Sequence, residues 1–246
     1  MELIDRAINL ITKLSYRSDG MSVLDLSEAL NLAPSTTHRI LSSLKENKII
    51  VQDDFDKKYR IGYKLYSLVS NVYENNSLIV SAKPMMRKLS QQIKKTIVLC
   101  VMDGDHIINV YCIEQEDSNL FMVKIGKELP LFSTSAGRVY CAYMDQDKVL
   151  DLYQTLDEEA NTPFTKTSWK DLVAEFERIR RQGYACIDEE LQIGMNGFSC
   201  PIFDMNHKVV AALAFTSTKK GFENSQLLVQ KLIECANQIS TEIGQG

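Results

Sequence analysis

The chain has 246 residues, of which 45% are apolar and 24% charged, and its formal net charge is −4. This length allows two domains, and the composition is that of an ordinary globular protein. No apolar run approaches the roughly 20 residues that a membrane-spanning helix needs. The N-terminus also lacks the charged, apolar and small-residue order of a secretory signal. The sequence therefore predicts a cytoplasmic protein with no membrane partner.

The six cysteines form no C-x-x-C pair with each other. Most of them fall within apolar stretches such as IVLCVM and NVYCIE. In a reducing cytoplasm this pattern is typical of small core residues. We therefore expect no metal site, no disulfide and no cofactor.

The first 62 residues carry the spacing of three helices and a hairpin. Apolar residues recur every three or four positions over 3–14, and MSVLDLSEALNL predicts a second, shorter helix. Pro34 suits the first turn of a third helix, which we expect to run to about Asn47. The stretch KIIVQDDFDKKYRIG then predicts a two-stranded hairpin. Together these elements predict a winged helix-turn-helix over residues 1–62.

The third helix begins with LAPSTTHRILSSL and has one apolar and one polar face. Short hydroxyl side chains let a helix lie deep in the major groove, and arginine can bind guanine or phosphate with two hydrogen bonds. The polar face predicts DNA contacts by Ser35, Thr36, His38, Arg39 and Ser42. A solvated helix start with no ligand would show the same residues, so the stretch alone leaves both interpretations open.

The charge of the first segment is only locally positive. Residues 34–64 contain seven cations against four acids, whereas residues 1–62 are balanced. Lys57, Lys58 and Arg60 on the hairpin are expected to hold the DNA backbone or minor groove, which positions the protein without reading sequence.

The remaining chain predicts a linker helix over 63–77 and a second domain over 78–246. TIVLCVMDGDHIINVYCIEQ predicts a hairpin around Asp103-Gly104, and LFMVKIG a third strand. SWKDLVAEFERIRRQG predicts the clearest helix, further strands follow it, and a helix over about 224–243 ends the domain. Hairpins alternating with helices predict an antiparallel sheet flanked by helices, so the fold class is α+β.

FSTSAGR, residues 132–138, predicts a capped helix start in the second domain. Hydroxyl groups at a helix N-terminus bind anions, although an ordinary capped helix has the same residues. Paired acids in IDEE could indicate an enzyme. Because no nucleophile, metal triad or phosphate loop accompanies them, we expect no catalysis.

Across nearly its whole length the chain resembles the IclR family of transcriptional regulators. The resemblance rests on DRAINLI, LSEALNLAPSTTHRILSSL and KYRIGYKLYSL, followed by LPLFSTSAGRVYCAYM, IRRQGYACIDEELQIG and PIFDMNHKVVAAL. It implies a winged helix-turn-helix joined to a GAF-like effector-binding domain. It also implies a metabolite-responsive regulator, here expected to be a repressor, that binds a palindromic double-stranded DNA operator as a homodimer or homotetramer.

The resemblance further implies an effector pocket in the second domain. The matching positions are Ser135, Ala136, Asp188, Gly197 and Thr216, with Met122, Leu131 and Met195 as apolar walls. Gly197 stands where many members have Cys or Ser, and Ala214 where serine is common. With fewer polar groups converging, we expect an effector larger or more apolar than a two- or three-carbon oxoacid, with one carboxylate.

Two alternatives remain. The chain could be a metabolite-binding module whose helix-turn-helix contacts only protein. It could also be an enzyme on a GAF-like fold that uses Cys200 or Asp188.

Overall fold

The computed structural model describes residues 2–115, 123–156, 158–218 and 225–244. The chain divides into two compact units, residues 1–76 and 77–246. None of the helices within the described ranges has both the length and the apolar character needed to cross a bilayer.

The first unit is a winged helix-turn-helix, as predicted. It contains α1 (Leu3–Ser15), α2 (Val23–Leu30), α3 (Pro34–Glu46), β1 (Ile50–Gln52), β2 (Tyr59–Ile61) and α4 (Tyr63–Asn75). A capping box starts α2, in which the Ser22 hydroxyl accepts from the Asp25 amide and the Asp25 carboxylate accepts from the Ser22 amide. Asn31 ends α2 in the left-handed region, at φ 51°, and turns the chain into α3.

One apolar core holds these elements together. Its buried members are Leu10, Leu14, Met21, Leu26, Ile40, Leu41, Ile50 and Tyr59. Thr37 is fully buried on the inner face of α3, where its hydroxyl accepts a hydrogen bond from the Ser27 hydroxyl at 3.0 Å. The inner face of α3 therefore packs against the core, and its opposite face is exposed to solvent.

The turn after α1 lies directly against β2. The backbones of Met21 and Tyr59 exchange two hydrogen bonds, of 3.0 and 2.8 Å. Gly20 has φ 75°, and a Cβ there would lie 2.8 Å from the Tyr59 carbonyl oxygen. Only glycine fits this close approach, which fixes the base of the wing to the three helices.

The second unit is a six-stranded antiparallel sheet with helices. Its elements are α5 (Ser77–Ile93), β3 (Ile97–Asp103), β4 (His106–Ile113), β5 (Glu128–Leu129), α6 (Ser135–Tyr143), α7 (Gln146–Thr155), α8 (Trp169–Gln182), β6 (Ala185–Asp188), β7 (Met195–Phe203), β8 (Val209–Thr218) and α9 (Ser225–Ile243). The strand order is β5-β4-β3-β8-β7-β6. The predicted α+β class is confirmed.

The helices cover both faces of this sheet. Successive residues of a strand point to opposite faces. On β7, the Ser199 hydroxyl hydrogen-bonds Ser135 at the start of α6, and the next residue, Cys200, lies near Cys235 of α9. Helices α6 and α8 pack together on one face, and α5 and α9 pack together on the other.

The strand predicted at 120–126 is not found where the chain is described. Residues 120–122 lie outside the described residues, and Ile125 and Gly126 form a turn. Gly126 has φ 76°, and its N–H donates to the Asn109 carbonyl oxygen at 2.7 Å. The chain therefore turns first and pairs with β4 only at Glu128–Leu129, as the short strand β5.

Candidate functional site

The outer face of α3 presents the predicted DNA-binding residues together. Ser35, His38 and Arg39 are exposed, and Thr36 and Ser42 are partly exposed. Their spacing of three or four residues places them along one side of the helix. The Arg39 guanidinium makes no hydrogen bond or ion pair with any residue that the structure describes. This face is therefore a solvated polar surface with an available cation.

The wing presents its three cations unequally. Lys57 is exposed and Lys58 is partly buried. Arg60 is engaged: its guanidinium lies 3.1 Å from the Asp53 carboxylate and 2.6 Å from the Asp56 carboxylate, and it donates to the Asp19 carbonyl oxygen at 3.1 Å. The hydrogen bond from Arg60 also lowers the pKa of Asp56. A DNA contact by Arg60 remains a prediction, and it would require these bonds to be given up.

The second unit contains a cavity, partly open to solvent, between the sheet and the start of α6; the space within its walls and its open mouth together is about 550 Å³. We call it the α6 cavity. It is lined by Val98, Cys100, Asn109, Val123, Leu129, Thr134, Ser135, Ala136, Ile187, Leu191, Gln192, Met195, Asn196, Gly197, Ala214 and Thr216. No Lys, Arg, Asp or Glu is among these described lining residues, so any ligand charge would be met by dipoles rather than by a counter-ion.

Five of the eight predicted effector residues line the α6 cavity. They are Ser135, Ala136, Met195, Gly197 and Thr216. Met122 lies outside the described residues.

The structure does not place Asp188 or Leu131 in the lining. On β6 it is Ile187 that pairs with Gly197 and faces the cavity, so Asp188 points the other way and is exposed. With its amide nitrogen turned towards Asp188, Asn196 donates to that carboxylate at 2.7 Å. Leu131 is fully buried in the core of the unit.

Hydroxyl groups surround the start of α6. Thr134 caps the helix by accepting from the Gly137 amide at 3.1 Å. The Ser135 and Ser199 hydroxyls are 2.7 Å apart. The Thr216 hydroxyl is buried and finds no hydrogen-bond partner among the described residues. Because a buried unsatisfied hydroxyl is costly, Thr216 is suited to bond a ligand.

Asn109 is a lining residue that the sequence pattern did not reveal. It is 1% exposed, and its side chain accepts from the Cys100 thiol at 3.3 Å. A β-bulge opposite Leu99 and Cys100 shifts the register of β4 at this point. Bulges redirect side chains near functional sites. The available signal was an asparagine inside the apolar run HIINVYCI.

A buried ion pair lies behind the start of α6. Arg138 is 0% exposed and Glu190 is 2% exposed, and both terminal nitrogens of the guanidinium donate to the Glu190 carboxylate. Arg138 Nε donates to the Phe132 carbonyl oxygen at 2.7 Å. Lys166 reaches the same carboxylate with its ammonium, at 3.2 Å, and with its amide, at 3.0 Å. These bonds fix Glu190 against the helix start.

Glu190 belongs to the loop that forms another wall of the α6 cavity. This loop supplies Leu191 and Gln192 to the lining. Its first residue, Glu189, has φ 57° and accepts from the Gly194 amide at 2.9 Å, which closes the loop on itself. The Arg138–Glu190 pair therefore connects two walls of the cavity.

The six cysteines are free, and four of them are buried. Burial raises the pKa of Cys100 to about 12, and of Cys112, Cys186 and Cys235 to about 11. It also raises the pKa of Cys141 and Cys200. Since the thiolate is the nucleophile, Cys200 is poorly suited to catalysis.

A winged helix-turn-helix with an available polar helix face, joined to a unit with a ligand-sized cavity, defines a transcriptional regulator with an effector-binding domain. Two family models match the chain: the IclR helix-turn-helix domain over residues 3–54 and the bacterial transcriptional regulator IclR C-terminal model over residues 70–241. The HTH-type transcriptional regulator KdgR of Escherichia coli (strain K12) is 30% identical over 226 residues, which cover 91% of this chain and 86% of KdgR.

Solved structures agree with this match. The crystal structure of Thermotoga maritima IclR superposes with a TM-score of 0.84 at 25% identity, covering 98% of each chain. An IclR homologue from Microbacterium hydrocarbonoxydans, complexed with 4-hydroxybenzoate, has the same fold, with a TM-score of 0.86 at 19% identity over 100% of each chain. The chain belongs to the IclR family of transcriptional regulators.

Proposed function

We propose that this protein is a repressor that binds a palindromic DNA operator as a homodimer or homotetramer and responds to a small carboxylate-bearing effector. Its proposed domains are residues 1–62 for DNA, a linker helix over 63–77, and residues 78–246 for the effector. The observation that carries the proposal is the outer face of α3, where Ser35 and Arg39 are exposed while Thr37 and Leu41 pack inward.

The two kinds of cation have different proposed roles on DNA. Arg39 lies in the first half of α3, among the short hydroxyl side chains, and is free to form a bidentate bond to guanine. Lys57 lies on the wing and is proposed to contact phosphate, which positions the protein on any sequence. Arg60 is held by Asp53 and Asp56 and is proposed to brace the wing; its predicted DNA contact would form only after release from these carboxylates.

The test uses a duplex selected from a random-sequence library by the full-length protein. We expect Arg39→Ala to weaken binding to the selected duplex by about 10- to 100-fold, in line with 1–3 kcal/mol for one bidentate base contact. Lys170→Ala, an exposed lysine on α8, is the matched control. Lys57→Ala should weaken binding to selected and unselected duplexes to the same degree. It should also reduce the slope of log affinity against log salt concentration by about one, because one phosphate contact is lost. Equal affinity of Arg39→Ala and the parent protein would refute the assignment.

Apolar exposure on two helices of the first unit supports self-association. Helix α4 has no buried residue, although it presents Tyr66, Val69 and Val72. On α1, Ile4 is 68% exposed and Ile8 is 56% exposed. A 13-residue helix such as α4 is only marginally stable by itself in water. Its exposed apolar face would therefore be stabilised by packing against another protein surface. A second copy of the chain is the proposed cover, which suits a palindromic operator.

Analytical ultracentrifugation of the full chain tests the assembly. Val69→Glu places a charge on the proposed interface, and we expect it to halve the mass of the main species at micromolar concentration. Met205→Glu, a similarly exposed apolar position in the β7–β8 turn, should leave the mass unchanged. A monomeric parent protein would refute the oligomer.

The α6 cavity is the proposed effector site. The first amides of a helix have no partner within the helix and favour an anion, so we place the carboxylate at Ser135 and Ala136. Thr216, with its unpartnered hydroxyl, is proposed to bond it. The mainly apolar walls fit a hydrocarbon body.

Asn109 sets the proposed length of the effector. It pairs with Cys100, which pairs with Ala212, and Ala212 lies four residues before Thr216. Two strand spacings and four residues of strand separate the Asn109 and Thr216 Cα atoms by about 16 Å. A two-carbon acid is too short to approach both ends, so the proposed effector is a longer acid with a second polar group at its far end.

Isothermal titration with glyoxylate, adipate and 4-hydroxybenzoate tests this assignment. We expect a longer acid to bind more tightly than glyoxylate, and Thr216→Val to weaken that binding by about tenfold, since a hydrogen bond to a charged group is worth about 1.5–3 kcal/mol. Thr241→Val on α9 is the control. Tight binding of glyoxylate alone would refute the proposed chemistry.

We also propose that the protein is not an enzyme, which the outward-facing Asp188 and the buried Cys200, whose pKa burial raises, support. A sensor whose helix-turn-helix contacts only protein remains the alternative, and the absence of any selected duplex would favour it.

A further inference from the structure

The apex of the wing carries an exposed phenylalanine. Phe55 is 97% exposed, more than any other large apolar side chain in the described part of the chain. It lies between β1 and β2 in the sequence DDFDKK. Single exposed apolar side chains are common on protein surfaces, so the exposure of Phe55 gains its meaning from the turn that carries it and from the surface beside it.

The turn that presents Phe55 is held by its own hydrogen bonds. One Asp53 carboxylate oxygen accepts from the Phe55 amide at 2.9 Å and from the Asp56 amide at 3.1 Å. An Asp56 carboxylate oxygen accepts from the Lys58 amide at 2.9 Å. The Arg60 guanidinium bridges both carboxylates. The phenyl ring is therefore carried by a preorganised turn, which lowers the entropic cost of inserting it into a partner.

The charge of the wing does not favour a purely electrostatic contact. Residues 53–60 contain three acids and three bases, so the segment is neutral. The base that would most strengthen phosphate binding, Arg60, is occupied by Asp53 and Asp56. An apolar contact at the apex complements the single exposed cation, Lys57, beside it.

The wing is continuous with the proposed DNA surface. The Lys45 ammonium on α3 donates to the Gln52 side chain on β1 at 3.0 Å, and the Met21–Tyr59 bonds hold β2 to the helices. The apex and α3 therefore belong to one packed unit.

We propose that Phe55 acts as a wedge in the minor groove beside each half-site, and this rests on the proposed DNA-binding function. An apolar side chain in that groove enters between base pairs, partly unstacks them and bends the duplex towards the major groove. Pyrimidine–purine steps unstack most easily, so Phe55 favours such a step at a position that no hydrogen bond reads. Phe55 is thus a specificity-determining residue that acts through DNA deformation.

The test uses the selected duplex with 2-aminopurine placed, one position at a time, at the steps flanking each half-site. Binding of the parent protein should raise 2-aminopurine fluorescence at one flanking step and bend the duplex, measured by energy transfer between dyes at its ends. Phe55→Ala should lose both signals and weaken binding by about tenfold. Its salt dependence should stay unchanged, because no phosphate contact is lost. Phe55→Leu, which keeps an apolar wedge, should retain most of the bend.

Phe164→Ala is the matched control, because Phe164 is 57% exposed and lies in the second unit. If Arg39→Ala weakens binding while Phe55→Ala binds and bends DNA like the parent protein, the wedge is refuted and the DNA-binding function stands. If Arg39→Ala also has no effect, the proposed function fails as well. If Phe55→Ala changes only the mass in ultracentrifugation, its partner is protein, and the wedge is refuted.

Discussion

Glu190→Gln is the substitution whose cost follows most directly from the structure. The side chain keeps its shape but loses the charge that faces Arg138, and Arg138 is fully buried. Removing one partner of a buried ion pair leaves an uncompensated charge and costs about 3–5 kcal/mol. The amide oxygen of glutamine still accepts one hydrogen bond, so we expect the lower end, about 3 kcal/mol.

The single tryptophan allows the free energy of unfolding to be measured for the second unit, which contains the Arg138–Glu190 pair. Trp169 lies at the start of α8 and packs against Tyr153, with ring centroids 5.2 Å apart. Urea unfolding of the full chain, followed by its fluorescence, therefore reports the second unit. In a thermal melt, 3 kcal/mol corresponds to a fall in Tm of about 6–12 °C for a unit of this size.

Glu177→Gln on the exposed side of α8 is the matched control, and it should change the free energy of unfolding by less than about 0.5 kcal/mol. If Glu190→Gln costs no more than this control, the buried pair is not the constraint that its geometry indicates.

Three further predictions concern the same unit. Arg138 and Lys166 outweigh burial and lower the pKa of Glu190, so its stabilisation is complete above about pH 4.5 and is lost as the pH falls through the lowered pKa. Urea titrations should therefore show the difference between parent and Glu190→Gln shrinking below pH 4.5; a constant difference would contradict this. Gly137→Ala places a Cβ 1.9 Å from the Leu131 carbonyl oxygen, and we expect it to cost about 3 kcal/mol or more in urea unfolding, against about 1 kcal/mol for Gly104→Ala, where the space is open. The four buried thiols, Cys100, Cys141, Cys200 and Cys235, should react with a disulfide reagent at pH 7 only on unfolding, whereas the partly exposed Cys112 and Cys186 can react earlier; more than two fast-reacting thiols in the native protein would contradict this.

The first unit was predictable because its signals are local. The apolar spacing of α1 and the proline at the start of α3 each act within a few residues, and both helices appear in the structure. The outer face of α3 followed from the same spacing. The ion pairs of Arg60 with Asp53 and Asp56 could not be predicted in this way. They depend on how the wing turn folds back, and counting the charges in the segment does not reveal that.

The α6 cavity was only partly predictable because it is built from distant segments. A shift of one residue moves a strand side chain to the other face, so the pairing of Ile187 with Gly197 decides that Asp188 points away. The β-bulge that accompanies Asn109 depends on how β3 and β4 pair. Of the positions that the resemblance implies, Ser135, Ala136 and Gly197 line the α6 cavity, and their role in binding an effector stays a prediction.

The Arg138–Glu190 pair also allows stability and binding to be separated. Replacing both partners of a buried pair with apolar residues of similar volume is often neutral for stability. We therefore expect the double variant Arg138→Met/Glu190→Leu to recover part of the free energy of unfolding that Glu190→Gln loses, the rest being the cost of the Phe132 carbonyl and Lys166 amide left without these partners.

The same double variant removes the bonds that tie the start of α6 to the loop carrying Leu191 and Gln192. A ligand can shift a conformational equilibrium only through unequal affinity for its states, and that requires walls with a defined separation. We expect the double variant to be stable and yet to bind the longer acids at least tenfold more weakly in calorimetry. Parent-like affinity in a stable double variant would show that packing alone positions the two walls.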